Sequence, residues 1–251
     1  MGFWRRMKTS LQAMRQHNFY LRAFFFCALV SALTSVAMAQ AKSTGALDAV
    51  LVQMDTAAQG FHSAQADFQW DQFELVVKNT DTQTGTISFL RSGGATQMAA
   101  QVKQLNGQPD AKDIVYKAGV LQFYQPAIDQ MTVLHAGNNQ QRFESFLTLG
   151  FGGSGSDLKK NWEITDQGTE TIDGIKTVKL DLVGKQESVR NMFSHVTIWI
   201  DPARAISLKQ QFFEPSGDFR TAFYRNIRYN RKIAPAAFRI KTTAKTTTVE
   251  K

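Results

Sequence analysis

Residues 44–77 read TGALDAVLVQMDTAAQGFHSAQADFQWDQFELVV, and a change of period inside this stretch decides the fold. Leu47, Val50, Leu51, Met54, Ala58 and Phe61 recur at steps of three and four, which predicts a helix with one apolar stripe over 44–63. Ser43 or Thr44 can cap it. After Ser63 the period becomes two, with Ala66, Phe68 and Trp70 alternating with polar residues. The phase then slips to Phe73, Leu75 and Val77, which predicts a bulge near Asp71-Gln72.

Alternation continues outward from there. Short apolar runs sit at Ile87-Phe89, Met98-Val102, Ile114-Tyr116, Leu121-Tyr124 and Met131-Val133, separated by turn residues such as Asn106-Gly107 and Ala118-Gly119. Between residues 140 and 161 the pattern breaks. Phe143, Phe146 and Leu147 predict a short amphipathic helix, and Gly150 to Ser156 reads as a flexible stretch. Strands resume at Trp162-Thr165, Thr177-Val183, Val196-Ile200, Ile206-Phe213, Phe219-Tyr229 and Phe238-Thr242, and the Lys/Thr tail at 243–251 is expected to fray. The sum is an α+β fold, mainly antiparallel β: an incomplete, strongly curved barrel of about 10–11 strands covered by two or three helices.

The 251 residues carry 29 Lys and Arg against 21 Asp and Glu, a net charge of +8. That balance alone suggests a nucleic-acid or acidic-membrane partner. Its placement argues otherwise. Arg5, Arg6, Lys8, Arg15 and Arg22 precede the apolar run AFFFCALVSALTSVAMA at 23–39, and no acid lies before residue 40. A basic segment, an apolar core and the small-x-small end Ala37-Met38-Ala39 describe a secretory signal peptide over 1–39, cleaved between Ala39 and Gln40. An uncleaved anchor is the alternative at this length.

Cys27 is the only cysteine and lies within that run. The mature chain, 40–251, is then a single exported domain held without disulfides, which fits a bacterial periplasm. Its remaining charge is split. Residues 40–219 are net −5, whereas 220–251 hold nine basic groups and only Glu250. Arg225, Arg228 and Arg231 are therefore candidates for docking an acidic partner or anionic headgroups; the alternative is a charged strand edge that blocks aggregation. No nucleic-acid partner is expected, and a monomer is.

No catalytic constellation emerges. His62, His135 and His195 are isolated, and the Gly150–Gly155 run lacks the Gly-Lys-Ser/Thr end of a phosphate loop. Ser154 has no glycine two residues later, so a nucleophile elbow fails too. The expectation is a non-enzymatic chain with no cofactor and no metal. What stands out is the large, soft apolar content: 19 Phe, 8 Met and 4 Trp. Phe68, Trp70, Phe89, Met98, Phe123, Met131, Phe143, Phe146, Phe151 and Trp199 are candidates to line a lipid cavity between curved sheet and helices. Filling an ordinary core is the alternative for each.

The run IVYKAGVLQFYQPAIDQMT at 114–132 resembles the LolA-type periplasmic lipoprotein carriers, whose pattern is an apolar strand, Asp-Gly, an aromatic strand, Tyr-x-Pro and an acid-Gln pair. Ala66-Asp67-Phe68-Gln69, then Gly85, Ile87, Phe89 and Arg91, resemble that family's opening strands. Glu214-Pro215-Ser216-Gly217-Asp218, with Asn226, Asn230, Ile233 and Phe238, resembles its closing half. The sequence departs from the pattern at Ser92, where proline is expected, at Ala118, in the 93–98 segment and in a long 103–113 stretch. The resemblance implies a carrier of acylated lipoproteins that receives cargo from an inner-membrane release complex and delivers it to an outer-membrane receptor. It also implies that Arg91 latches a helical lid through backbone carbonyls. A half-barrel module that binds another lipid, or senses an envelope-stress signal, is the second reading.

Overall fold

The structure, a computed structural model, describes residues 45–93, 95–137 and 149–250. Contacts divide the chain into two compact units, Met1–Ala46 and Leu47–Lys251, and the second carries the architecture that follows. The expected signal segment lies outside the described residues. Helix α1 occupies 45–59. It is followed by β1 (Ser63–Glu74), β2 (Asn79–Ser92), β3 (Ala95–Leu105), β4 (Gln108–Lys117), β5 (Val120–Gln125) and β6 (Gln130–His135). A short helix α2 (Gly155–Asn161) leads into β7 (Trp162–Ile172) and β8 (Ile175–Gly184), and α3 (Glu187–Arg190) precedes β9 (His195–Asp201). Then come β10 (Ile206–Phe213), β11 (Phe219–Tyr229) and, near the C-terminus, β12 (Thr247–Glu250).

The twelve described strands form one open sheet in the order β12-β6-β5-β4-β3-β2-β1-β11-β10-β9-β8-β7. Its neighbours are antiparallel except β12, which runs parallel to β6. Most of the sheet is a meander because its turns are short. Asn106-Gly107, Ala118-Gly119 and Asp173-Gly174 each join adjacent strands through two residues with positive φ, the geometry that matches strand twist. The pairing of β1 with β11 closes the two halves of the meander into one sheet.

The sheet is strongly curved. Ile87, Met98 and Tyr116 from β2, β3 and β4 share one buried cluster with Leu208 and Tyr224 from β10 and β11. Five strand spacings separate β4 from β10, about 24 Å on a flat sheet, so only curvature brings both onto Phe61 and Phe151. On the same concave side Leu51 and Met54 of α1 cover Leu180, Leu182, Val196, Ile198 and Ile200 of β8 and β9. The convex side is covered in part by the C-terminal segment, where Ile233, Ala237, Phe238 and Ile240 lie on Leu90, Ala99 and Val115.

Three expectations need correction. No register shift occurs near Asp71-Gln72; the irregularity lies between Gln65 and Asp67, opposite Asn226, whose φ of 53° absorbs the extra residue. Leu75 and Val77 belong to the β1–β2 turn and are exposed, so they marked a hairpin tip and not a second strand phase. The last strand is not 238–242, and the tail is not frayed: Pro235–Phe238 forms a 3-10 turn, and residues 247–250 pair with 130–133 as β12.

Asp129 explains that ordered tail. Its carboxylate accepts hydrogen bonds from the hydroxyls of Tyr124 (2.8 Å), Thr243 (2.5 Å) and Thr246 (2.5 Å). Its carbonyl accepts from the amide of Thr247. The Tyr-x-Pro and acid-Gln motif is thus a clip for the C-terminal strand.

Candidate functional site

The floor of the concave face is aromatic. Phe68 stacks on Trp70 with ring centroids 4.0 Å apart, and Phe89 stacks on Phe151 at 4.0 Å and 14°. Phe151 also meets Tyr224 edge-on at 4.8 Å and 89°. Phe68 and Trp70 lie two apart in β1, and Phe89 lies across from Ala64, so strand alternation alone directs these side chains to one face.

Phe151 does not belong to the sheet proper. It enters from the loop before α2 and forms a bridge with Ile206. The Gly152 amide donates to the Ala205 carbonyl at 2.9 Å, and the Ser207 amide donates to the Gly150 carbonyl at 2.6 Å. Both flanking glycines are needed. Gly152 has φ of +75°, and a Cβ there would stand 2.3 Å from the Phe61 ring; at Gly150 (φ +76°) it would stand 2.5 Å from the Ser207 Cβ. The stretch expected to be flexible is therefore pinned against the concave face.

Arg91, at the end of β2, ties the covering elements together. Its Nη1 donates to the carbonyl of Ala58 in α1 at 2.7 Å, and its Nη2 donates to the Gly152 carbonyl at 2.5 Å. The guanidinium also lies 5.2 Å from the Phe61 ring centroid. Burial lowers its pKa, an effect partly offset by Asp157. The rigid fork of donors suits two carbonyls on separate elements in a way a lysine would not. A further polar chain runs beneath the loop: the Tyr224 hydroxyl donates to Gln210 Oε1 at 3.0 Å, and Gln210 Nε2 donates to the Leu149 carbonyl at 2.5 Å. Burial pushes the Tyr224 phenol up to about 12, so it remains a neutral donor.

A cleft of about 50 Å³ remains between α1, the 149–154 loop and α2, lined by Met54, Leu149, Leu158 and Trp162 among others. Phe61 and Phe151 fill the centre of the aromatic face with the protein's own side chains.

The expected site residues divide by face. Phe68, Trp70, Phe89, Met98 and Phe151 meet in or against one concave cluster, and Phe123 shares that face across from Ile114. Met131 and Trp199 do not. Met131 pairs with Tyr124 on the convex side and sits with Val120, Val133 and Ile240. Trp199 alternates with the concave Ile198 and Ile200, so it faces outward between Lys179 and Lys209, its indole N–H donating to Glu170 at 2.6 Å. Phe143 and Phe146 lie outside the described residues. Arg225, Arg228 and Arg231 are exposed; Arg225 lies 3.6 Å from Asp173 and over Phe223, and the Arg231 carbonyl accepts from Ser63. Among the described residues no group of three or more His, Asp or Glu side chains could hold a metal ion.

Phe61, Tyr224, Gln210 and Arg220 are concave residues that sequence reading passed over. Phe61 closes the helical stripe but follows the helix itself. In β11 large side chains occupy both alternating sets, Phe219 and Phe223 on one face and Arg220 and Tyr224 on the other, so the period gave no inward side.

No family model matches the sequence, and no curated protein matches it significantly. Solved structures do share the fold. A conserved protein from Thermus thermophilus aligns with 81% of this chain and 98% of its own, at 10% identity and a TM-score of 0.52. A domain assigned to outer membrane lipoprotein sorting in Vibrio parahaemolyticus aligns with 76% of this chain and 95% of its own, at 12% identity and a TM-score of 0.43. The lipoprotein LppX of Mycobacterium tuberculosis aligns with 76% and 99%, at 15% identity and 0.44. At these identities the likeness concerns the fold alone.

Proposed function

We propose that the chain is a periplasmic, non-enzymatic carrier of acylated lipoproteins, with the concave aromatic face as the site that shields their acyl chains. One observation carries the reading. A loop residue, Phe151, occupies the centre of that face, and Arg91 joins its loop and the end of α1 to the end of β2. The resemblance of residues 66–91 and 114–132 to lipoprotein carriers supports the same conclusion.

Mechanism follows from elementary energetics. An acyl chain in water costs about 0.8 kcal/mol per CH₂, so a cargo with several chains needs cover while it crosses an aqueous space. A carrier must also let go, and so it needs two states of similar free energy. In the closed state Phe61 and Phe151 bury the face with the protein's own side chains. Cargo replaces them, the Arg91 bonds to Ala58 and Gly152 break, and delivery allows the loop to return. Partners at the inner membrane and an outer-membrane receptor belong to this reading through the family resemblance, and the export signal expected at 1–39 supports the same compartment.

Mass spectrometry of protein purified from envelope extracts tests it. Co-purified lipoproteins with intact acyl chains are the expected result. Free lipids alone would favour the sensing module, and no bound lipid would leave only a scaffold. A crosslink tying residues 149–153 to β10 should abolish uptake; unchanged uptake would reject the lid.

A further inference from the structure

Arg220 lies on the concave face, and among the described residues no hydrogen-bond acceptor meets it. In β11 it alternates with Ala222 and Tyr224, which face the aromatic floor, and it pairs across the sheet with Gln72 of β1 and Phe212 of β10. Its guanidinium carbon stands 5.7 Å from the Trp70 ring centroid and 5.1 Å from that of Phe212. The guanidinium thus lies over two ring faces, and among the described residues none of its N–H donors meets a hydrogen-bond acceptor.

The other half-buried arginines are answered. Arg91 has two carbonyls, and Arg204 has Asp201 at 2.6 Å. No carboxylate stands within ion-pair distance of Arg220 among the described residues. Glu214, in the turn before β11, acts on it only at a distance. Asp81, on the same side of β2, is taken by Asn79 and Asn106. Burial lowers the pKa of Arg220, an effect partly offset by Tyr224 and Glu214.

Its position along the strands gives the vacant donors a meaning. The concave face runs from Ala64, opposite Phe89 beneath the lid, through Phe68 and Trp70 to Gln72, opposite Arg220. Those eight steps span about 26 Å at strand rise. One leaflet of hydrocarbon is about 15 Å deep, so the face can hold a full acyl chain with room for a headgroup. The apolar end lies under Phe151, and the polar end holds Gln72, Gln83 and Arg220.

We propose that Arg220 binds the oxyanion, carboxylate or phosphate, of an anionic amphiphile whose acyl chain lies along Phe68 and Trp70 toward Phe89. The proposal rests on the reading of the concave face as an acyl-binding site and adds the headgroup class. A neutral glyceride would leave the guanidinium as bare as it is now; an acid would supply charge-assisted, bidentate bonds.

Fluorescence titration of the intact chain with cis-parinaric acid and with its methyl ester tests this directly. The acid should bind about tenfold tighter than the ester, as one charge-assisted contact warrants. In Arg220→Met that preference should vanish, and Arg220→Gln gives the same reading should the first variant misfold. Millimolar inorganic phosphate should not displace the acid. An unchanged acid-to-ester ratio in both variants would overturn the proposal while sparing the acyl-binding face. Displacement by phosphate would assign Arg220 to a free anion and also overturn it. Failure of both probes on the unaltered chain would end the carrier reading as well.

Discussion

At Gly152 the backbone, the lid and the cavity floor meet in one residue. Its carbonyl receives Arg91, its amide holds Ala205, and its missing side chain leaves room for Phe61. A methyl group there must both adopt a left-handed φ and overlap a ring that packs into the core. Gly152→Ala should therefore destabilise the fold by about 2 kcal/mol, read as a lower urea midpoint. Cleavage within 149–153 by a limiting protease should rise in parallel. Arg91 was legible as a latch only through family resemblance, because neither spacing nor composition tells which carbonyls a strand-end arginine will meet.

At the level of elements, two turns make opposite predictions. Ala118 holds φ of 49° at the first position of the β4–β5 turn, where an Asn or Asp is the usual occupant. Ala118→Asn should raise thermal stability by about 0.5–1 kcal/mol, since the left-handed conformation costs alanine more. Asp129 acts in the other direction. Hydrogen bonds from Thr243 and Thr246, then from Tyr124, hold its carboxyl below the usual carboxylate range. A depressed folded pKa stabilises above the unfolded value, near ~3.9, and the contribution is lost as pH falls through the folded value. Protection from hydrogen exchange at Thr247–Glu250, relative to the intrinsic rate at each pH, should thus be high at neutral pH and fall below about pH 4, and Asp129→Asn should show the low protection at every pH.

The same clip shows what the sequence hid. Hairpins with Asn106-Gly107 or Asp173-Gly174 announce themselves, because the turn chemistry is local. The pairing of β12 with β6 joins residues more than a hundred apart, and a Lys/Thr run reads as a solvated tail until Asp129 is seen to hold it. Inward and outward sides were readable where one face is polar, as at Phe68 and Phe89. They were not readable at Met131 and Trp199, since the convex face also buries apolar groups, under Ile240 and between two lysines.

For the molecule as a whole, an open sheet leaves two edges to protect. The β7 edge carries Glu163, Asp166 and Glu170, and a register shift between Asp166 and Thr169 with Gly168 at φ +89° distorts it. The β6 edge depends on β12. A chain ending at Lys241 should expose Gln130–His135 and self-associate, which sedimentation velocity would register as a concentration-dependent shift from monomer. Arg225 and Arg228 share the convex face with Lys179 and Lys209, so charge there and the aromatic concave face can be altered independently.

With the concave face read as the proposed acyl site, the ring of Phe151 resting on Phe89 makes the protein its own inhibitor. A tethered competitor acts at an effective concentration that dilution cannot lower, and apparent affinity for any ligand falls by the factor with which the plug occupies the site. Loading is then a contest between two greasy groups for one surface, and the winning margin can be small even when each contact is strong. Phe151→Ala removes the competitor and a piece of the core together. It should unfold about 3 kcal/mol more easily and yet retain cargo longer, two shifts of opposite sign that calorimetry and a release assay would read on one sample.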